Sequence, residues 1–143
     1  MPIAITKRFG DLEYEETAAI QFPTGLPGFD NRHRFVLVEE PRLAPLAFLQ
    51  SLESPELSFL TVPVHVVDAS YELAISEQDL ETIGMDLVSE KLCLALLAPA
   101  ENGRLTANLL APVVINPMTR VAVQAVRSDT RYSHQHALET LCS

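Results

Sequence analysis

The sequence predicts a mostly β fold: a small antiparallel, barrel-like domain with one short helix. Two observations predict the strands. Roughly eight to ten short apolar runs recur at intervals of about 8–12 residues, each bounded by turn residues. Most of them alternate with a period of two, or are too short to be helices. A third observation predicts the helix, because only one stretch carries helical start and stop signals together. At 143 residues, one domain spanning 1–143 is expected. A chain of this mass buries roughly 70% of its unfolded surface, so a core forms without staples.

The elements follow in order. Ile3 and Ile5 alternate with Ala4 and Thr6, which suits a half-buried strand. Phe9-Gly10-Asp11 is a turn, and Leu12 and Tyr14 then alternate with Asp11, Glu13 and Glu15. The second strand therefore has one acidic face, and the pair reads as a hairpin. Ala18, Ile20 and Phe22 continue the period of two. The segment from Phe22 to Phe29 holds two prolines and two glycines and reads as an ordered surface loop plugged by Leu26 and Phe29. Strands follow at Arg34–Glu39, Leu46–Gln50 and Leu57–Val62, separated by turns at Pro41–Pro45 and Ser54-Pro55. His65, between Val64 and Val66, reads as an outward-facing strand residue.

The helix begins at Ser76, a capping residue with Asp79 three positions on. Glu77, Asp79 and Glu81 favour the positive end of the helix dipole. Leu80 and Ile83 supply an apolar stripe, and Gly84 suits the stop. Leu92–Leu97 is a fully apolar strand, and Asn102-Gly103 a hairpin turn. Leu105–Val126 reads as three short strands punctuated at Pro112, which has no N–H for a ladder, and at Asn116-Pro117, a turn. Residues after Asp129 are expected to form a short helix or an irregular, flexible tail.

Composition narrows the function. Apolar residues make up 48%, which excludes global disorder. The formal charge is −9 and is unevenly placed. Residues 1–90 hold five basic and sixteen acidic groups, giving −11; residues 91–143 hold five basic and three acidic, giving +2. Such a chain repels nucleic-acid phosphate and favours basic partners. No signal peptide and no membrane-length apolar run is read, so a soluble, cytoplasmic protein is expected, with no direct nucleic-acid and no membrane partner. Cys93 sits in an apolar run and Cys142 near the end of the chain; no disulfide between them is expected.

Catalytic signatures are sparse. The five glycines form neither a dinucleotide fingerprint nor a P-loop. His134 and His136 would share a strand face, but the only further ligand candidates nearby are Asp129, Glu139 and Cys142; no metal and no cofactor is expected. Glu15-Glu16 and Glu39-Glu40 are adjacent pairs, which point to opposite faces of a strand and cannot share a proton. Asp68, Tyr71 and Glu72 could converge at a strand–helix junction, which would suit a pocket in a small β-barrel enzyme; turn formation is the plainer reading. There is no Trp, and the aromatics do not interleave with basic residues, so a base-stacking platform is not indicated.

Several blocks resemble one family. Thr6-Lys-Arg-Phe-Gly-Asp-Leu-Glu13, Ile20-Gln-Phe-Pro-Thr-Gly-Leu-Pro-Gly-Phe29 and Phe48-Leu-Gln-Ser-Leu52 resemble the flagellar assembly factor FliW family. So do Asn108-Leu-Leu-Ala-Pro-Val-Val-Ile-Asn116 and Tyr132-Ser-His-Gln-His-Ala-Leu138. The blocks span nearly the whole chain in the family's order. The sequence departs from the family at Phe48, where Trp is common, at Val62-Pro63, which lacks a preceding Asp, and at Gln135, where a basic residue is frequent.

The resemblance implies a non-enzymatic, cytoplasmic regulator of flagellum assembly. It would bind the translational regulator CsrA, relieving repression of flagellin messenger RNA, and would bind newly made flagellin in a partner switch. An acidic antagonist suits CsrA, which must be basic to hold RNA. The residues expected at partner surfaces are Phe9, Asp11 and Glu13 of the first hairpin, with Asn108, Leu110, Asn116 and Pro117.

Overall fold

The computed structural model describes residues 2–26, 28, 29, 31–100 and 103–138. The elements are β1 (Ile3–Thr6), β2 (Gly10–Glu13), β3 (Ile20–Gln21), β4 (Arg34–Glu39), β5 (Ala47–Ser51), β6 (Ser58–Pro63), α1 (Val64–Val67), α2 (Glu77–Ile83), β7 (Leu92–Pro99), β8 (Leu105–Ile115), β9 (Ala122–Gln124) and β10 (His136–Ala137). The main sheet runs β10-β8-β7-β6-β5-β4-β3, with β9 also on β8, and every named strand pair in it is antiparallel.

That sheet nearly closes on itself. Gln21 of β3 forms a parallel bridge with Val121, just before β9. The Gln21 N–H donates to the Arg120 carbonyl at 2.8 Å. Arg120 holds φ at 64°, a left-handed backbone that aims this carbonyl across the seam. Closure removes most strand edges and explains why the fold is a barrel rather than an open sheet. The core falls into clusters on the two faces of β7: Leu92, Leu94 and Leu96 pack with Ile20, Phe22, Leu26, Phe35, Leu49, Val113 and Ile115, while Cys93, Ala95 and Leu97 pack with Val62, Val64, Tyr71, Ala107 and Leu109.

The helix over 77–83 forms as its signals require. The Ser76 Oγ accepts from the Asp79 N–H at 3.0 Å, and Gly84 takes a left-handed φ of 69°, a conformation glycine adopts without a Cβ clash. Leu80 and Ile83 are buried, and the Ile83 end packs with Val114, Val123 and Ala125.

The structure corrects three readings. A second helical turn, α1, follows β6, so His65 lies on a helix, not a strand. Val64 and Val67, three residues apart, both pack into the same cluster; local hydropathy cannot separate that spacing from alternation over so short a run. Pro112 does not end a strand. It lies inside the eleven-residue β8, at a bulge where Leu94 faces Val113 but Leu96 faces Asn108. The extra residues of β8 leave a position that needs no ladder N–H, and the Pro112 carbonyl accepts from the Ala125 N–H at 2.9 Å.

Residues 129–138, in turn, pack on the barrel as a strap that ends in β10. Positions 139–143 lie outside the described residues, as does Asn102 of the expected hairpin turn. The first strand is half-buried as expected, with Ala4 and Thr6 the buried residues and Ile3 and Ile5 the exposed ones.

Candidate protein-docking surface

The hairpin of β1 and β2 forms a two-stranded sheet of its own. Isolated hairpins are marginal in water, and this one is fastened at its turn. The Lys7 N–H donates to the Pro55 carbonyl at 2.8 Å. Arg8 Nε donates to Ser58 Oγ at 3.3 Å, and its guanidinium lies 4.6 Å from the centre of the Phe48 ring. Phe9 meets Phe48 edge-on at 5.5 Å between centroids. The Phe9 N–H donates to Thr6 Oγ1 at 2.8 Å, and that hydroxyl donates to the Gly10 carbonyl at 2.9 Å. Phe9, expected at a partner surface, therefore acts as the buckle between hairpin and barrel. Phe48 receives it.

Register decides what the hairpin presents. Ile3 pairs with Glu13 and Ile5 with Asp11, while Ala4 pairs with Leu12 and Thr6 with Gly10. Directly paired residues share a face. Ile3, Ile5, Asp11 and Glu13 thus lie together on the outer face, all four exposed. Ala4 and Thr6 are buried and Leu12 half-buried on the inner one. Asp11 and Glu13 stand where the sequence reading put them. The two isoleucines beside them were missed, because their own hydropathy points inward. The signal was the acidic face of β2, read across the pair.

The other four expected residues lie around β8. Asn108 Oδ1 accepts from the Leu110 and Ala111 N–H groups at 3.1 and 3.0 Å. It shapes the bulge. Leu110 is half-buried. Asn116 is buried; its Oδ1 accepts from the Met118 N–H at 3.0 Å and its Nδ2 donates to the Ile83 carbonyl at 2.8 Å. It joins the turn after β8 to the end of α2. Pro117 is exposed beside it. Among the described residues, no hydrogen bond, ion pair or ring contact joins the hairpin residues to those around β8.

Asp68, Tyr71 and Glu72 do not converge. Asp68 accepts from the Ser70 N–H and hydroxyl at 2.9 and 2.7 Å, which hold its carboxyl below the ordinary range. The buried Tyr71 hydroxyl donates to the Leu109 carbonyl at 2.7 Å, and burial pushes its pKa up. Glu72 turns outward to Arg131, 2.9 Å away. Three groups with three separate partners do not make an acid–base site.

The same region anchors the strap. Arg127 is buried and grips Asp129 through Nε and Nη2 at 2.9 and 3.0 Å. It also donates to the Glu72 carbonyl and lies over the Tyr132 ring at 4.7 Å. Tyr132 in turn packs on Tyr71 at 4.5 Å. The hydrogen bond from Arg127 holds the Asp129 carboxyl low, and raises the guanidinium's own pKa against the opposing effect of desolvation.

Cys93 is half-buried, and burial pushes its thiol up; Cys142 lies outside the described residues. His134 sits in the turn before β10 and His136 on it. Among the described residues, no three or more His, Cys, Asp or Glu side chains group in a way that could hold a metal, and no helix is long and apolar enough to cross a membrane.

A family model described as FliW protein matches residues 3–138. The chain belongs to the FliW family. The flagellar assembly factor FliW of Heliobacterium modesticaldum is 36% identical over 134 residues, covering 93% of this chain and 88% of that protein. The Geobacter sulfurreducens protein of the same name is 33% identical over 132 residues, covering 92% and 82%. That of Bacillus subtilis is 31% identical over 134 residues, covering 93% and 94%. A crystal structure of the flagellar assembly factor FliW superposes with a TM-score of 0.87 at 30% identity, over 96% of each chain. The antiparallel barrel-like fold is thus the FliW fold, and the hairpin and strap fall within the stretch that the family model spans.

Proposed function

We propose that this chain is a non-catalytic, cytoplasmic regulator of flagellum assembly that works by switching protein partners. It binds CsrA, which relieves repression of flagellin messenger RNA, and it binds flagellin, which returns CsrA to its RNA. The observation that carries this reading is membership of the FliW family across residues 3–138. The charge of −11 over residues 1–90 supports a basic partner. The separate partners of Asp68, Tyr71 and Glu72 favour contact over catalysis. Of the expected contact residues, Asp11, Glu13 and Pro117 offer exposed side chains. Asn108 and Asn116 spend theirs on backbone groups, so their part is to hold β8 in shape beside a partner.

The test uses purified proteins. The chain is mixed at low salt with CsrA, and separately with flagellin. Each mixture is expected to give a complex on size exclusion, and flagellin added to the CsrA complex is expected to displace CsrA. A mixture series in which the CsrA complex does not form rules the proposal out.

A further inference from the structure

On the outer face of the β1–β2 hairpin, register fixes exposed apolar and charged side chains together. Ile3 is 57% and Ile5 71% exposed. Each stands opposite an exposed carboxylate, Glu13 and Asp11 respectively. Lone exposed aliphatics are ordinary. Two on alternate positions of one short strand, each paired with an acid on the next, form a patterned patch.

We infer that this face docks a protein surface of basic and aliphatic side chains, with Ile3 and Ile5 as apolar anchors and Asp11 and Glu13 as their charged rim. The inference rests on the reading above and identifies its CsrA-binding surface.

Three observations support it. The first is charge complementarity. Asp11 and Glu13 are both exposed on this face, while the basic Lys7 and Arg8 sit at the turn and are fastened to the barrel there, so the face itself presents two carboxylates to a cationic partner. The second is the argument against a second copy. Packing two such faces together would bring Asp11 and Glu13 of one chain against those of the other, and like charges across a contact oppose association.

The third is construction. The hairpin is held at its turn by Lys7, Arg8 and Phe9 and by buried Ala4 and Thr6 underneath. None of these fastenings uses the outer face. The platform is thus ordered by groups that a partner need not touch, which lowers the entropic cost of docking on it. An aliphatic centre with a polar rim is the arrangement in which a few anchors carry most of the binding energy.

The test compares the full chain with two double variants, Ile3→Ser/Ile5→Ser and Asp11→Lys/Glu13→Lys. Affinity for purified CsrA is measured by calorimetry, flagellin binding in parallel, and the urea midpoint serves as a folding check. Both variants are expected to keep their midpoint and their flagellin affinity, and to lose at least tenfold in CsrA affinity. If the unmodified chain binds CsrA and both variants bind it equally well, the docking face is overturned while the proposed function stands. If the unmodified chain does not bind CsrA, both fall. A concentration-dependent dimer abolished by Ile3→Ser/Ile5→Ser overturns the inference differently, by giving the face to a second copy.

Discussion

The hairpin at the start of the chain and the strap near its end are both additions to the barrel, yet they handle their side chains in opposite ways. In the strap, Arg127, Asp129, Arg131 and Tyr132 each have partners within the molecule. In the hairpin, the outer face spends neither its isoleucines nor its carboxylates on the barrel. Arginines of the second half act as internal struts: Arg120 Nη2 donates to the Ala18 carbonyl at 3.3 Å, and Arg127 and Arg131 hold the strap. Acids of the hairpin face solvent. Net charge alone does not reveal this. It takes the partners of each group to tell charge used for holding from charge available for meeting something.

The largest expected effect is on the strap. Arg127→Ala removes a buried guanidinium that satisfies Asp129 and the Glu72 carbonyl and covers Tyr132. Losing a buried charged partner and its stacking is expected to cost about 3 kcal/mol, read from the urea midpoint. Arg127→Lys should recover only part of it, because an ammonium cannot reproduce the planar two-pronged grip. A loss below about 1 kcal/mol for the alanine variant would mean that the strap is no better anchored than a surface loop.

Tyr71→Phe comes next. It deletes only the hydroxyl that donates to the Leu109 carbonyl, in the bulged part of β8. A buried acceptor left unmatched costs about 1–2 kcal/mol. Thermal melts of the two proteins give the difference. Gly84→Ala is expected to cost about 1 kcal/mol, since φ is 69° there and only glycine adopts that backbone freely. It touches neither addition and serves as a scale for both.

Acid should separate the two regions in the same order. The Arg127 hydrogen bond holds the Asp129 carboxyl below its ordinary value, and the Arg131 hydrogen bond does the same for Glu72. A folded pKa depressed below the unfolded one gives stability that is present above the unfolded value and is lost as pH falls through the folded one. Unfolded Asp and Glu titrate at about 3.9 and 4.3, so the contribution is complete at neutral pH and fades below about pH 4. Two of the three tyrosines, Tyr71 and Tyr132, stack at the strap, and the chain has no Trp. Near-ultraviolet tyrosine dichroism should therefore report strap loosening on acidification before far-ultraviolet strand signal is lost. Coincident transitions would mean that strap and barrel unfold as one unit.

Much of the barrel was legible because its determinants are local. β4 falls on the expected 34–39, and β5 and β6 are displaced by one residue from theirs. α2 is capped by Ser76 and stopped by Gly84, since capping chemistry sits beside the residues it caps. Pro112 misled because the rule against proline in a strand has an exception at bulges, and the bulge is created by Asn108, four positions earlier. The strap was illegible for a different reason. Arg127 meets the Glu72 carbonyl 55 positions away, and no local pattern announces such a partner. The candidate site was half legible. Asp11 and Glu13 were found by alternation, whereas Ile3 and Ile5 were hidden because a strand's own hydropathy does not say which face its neighbour will impose.

The smallest expected effect is the most discriminating for the comparison. Ile3→Ser and Ile5→Ser remove aliphatic groups already 57% and 71% exposed, so little burial is lost. Serine is a poorer strand former than isoleucine, but on an exposed two-stranded edge that penalty is within about 0.5 kcal/mol. Urea midpoints of the single variants should therefore lie close to that of the unmodified chain. The matched substitution on the inner face supplies the contrast. Ala4→Ser puts a hydroxyl where the side chain is 6% exposed, and an unmatched buried hydroxyl costs about 1–3 kcal/mol. If the outer substitutions cost as much as the inner one, the isoleucines belong to the hairpin's own stability and the outer face is not free. If they cost nothing while the inner one destabilises, the chain keeps two costly-to-hydrate side chains in solvent for no benefit to its fold, which is the signature of a surface shaped by what lands on it.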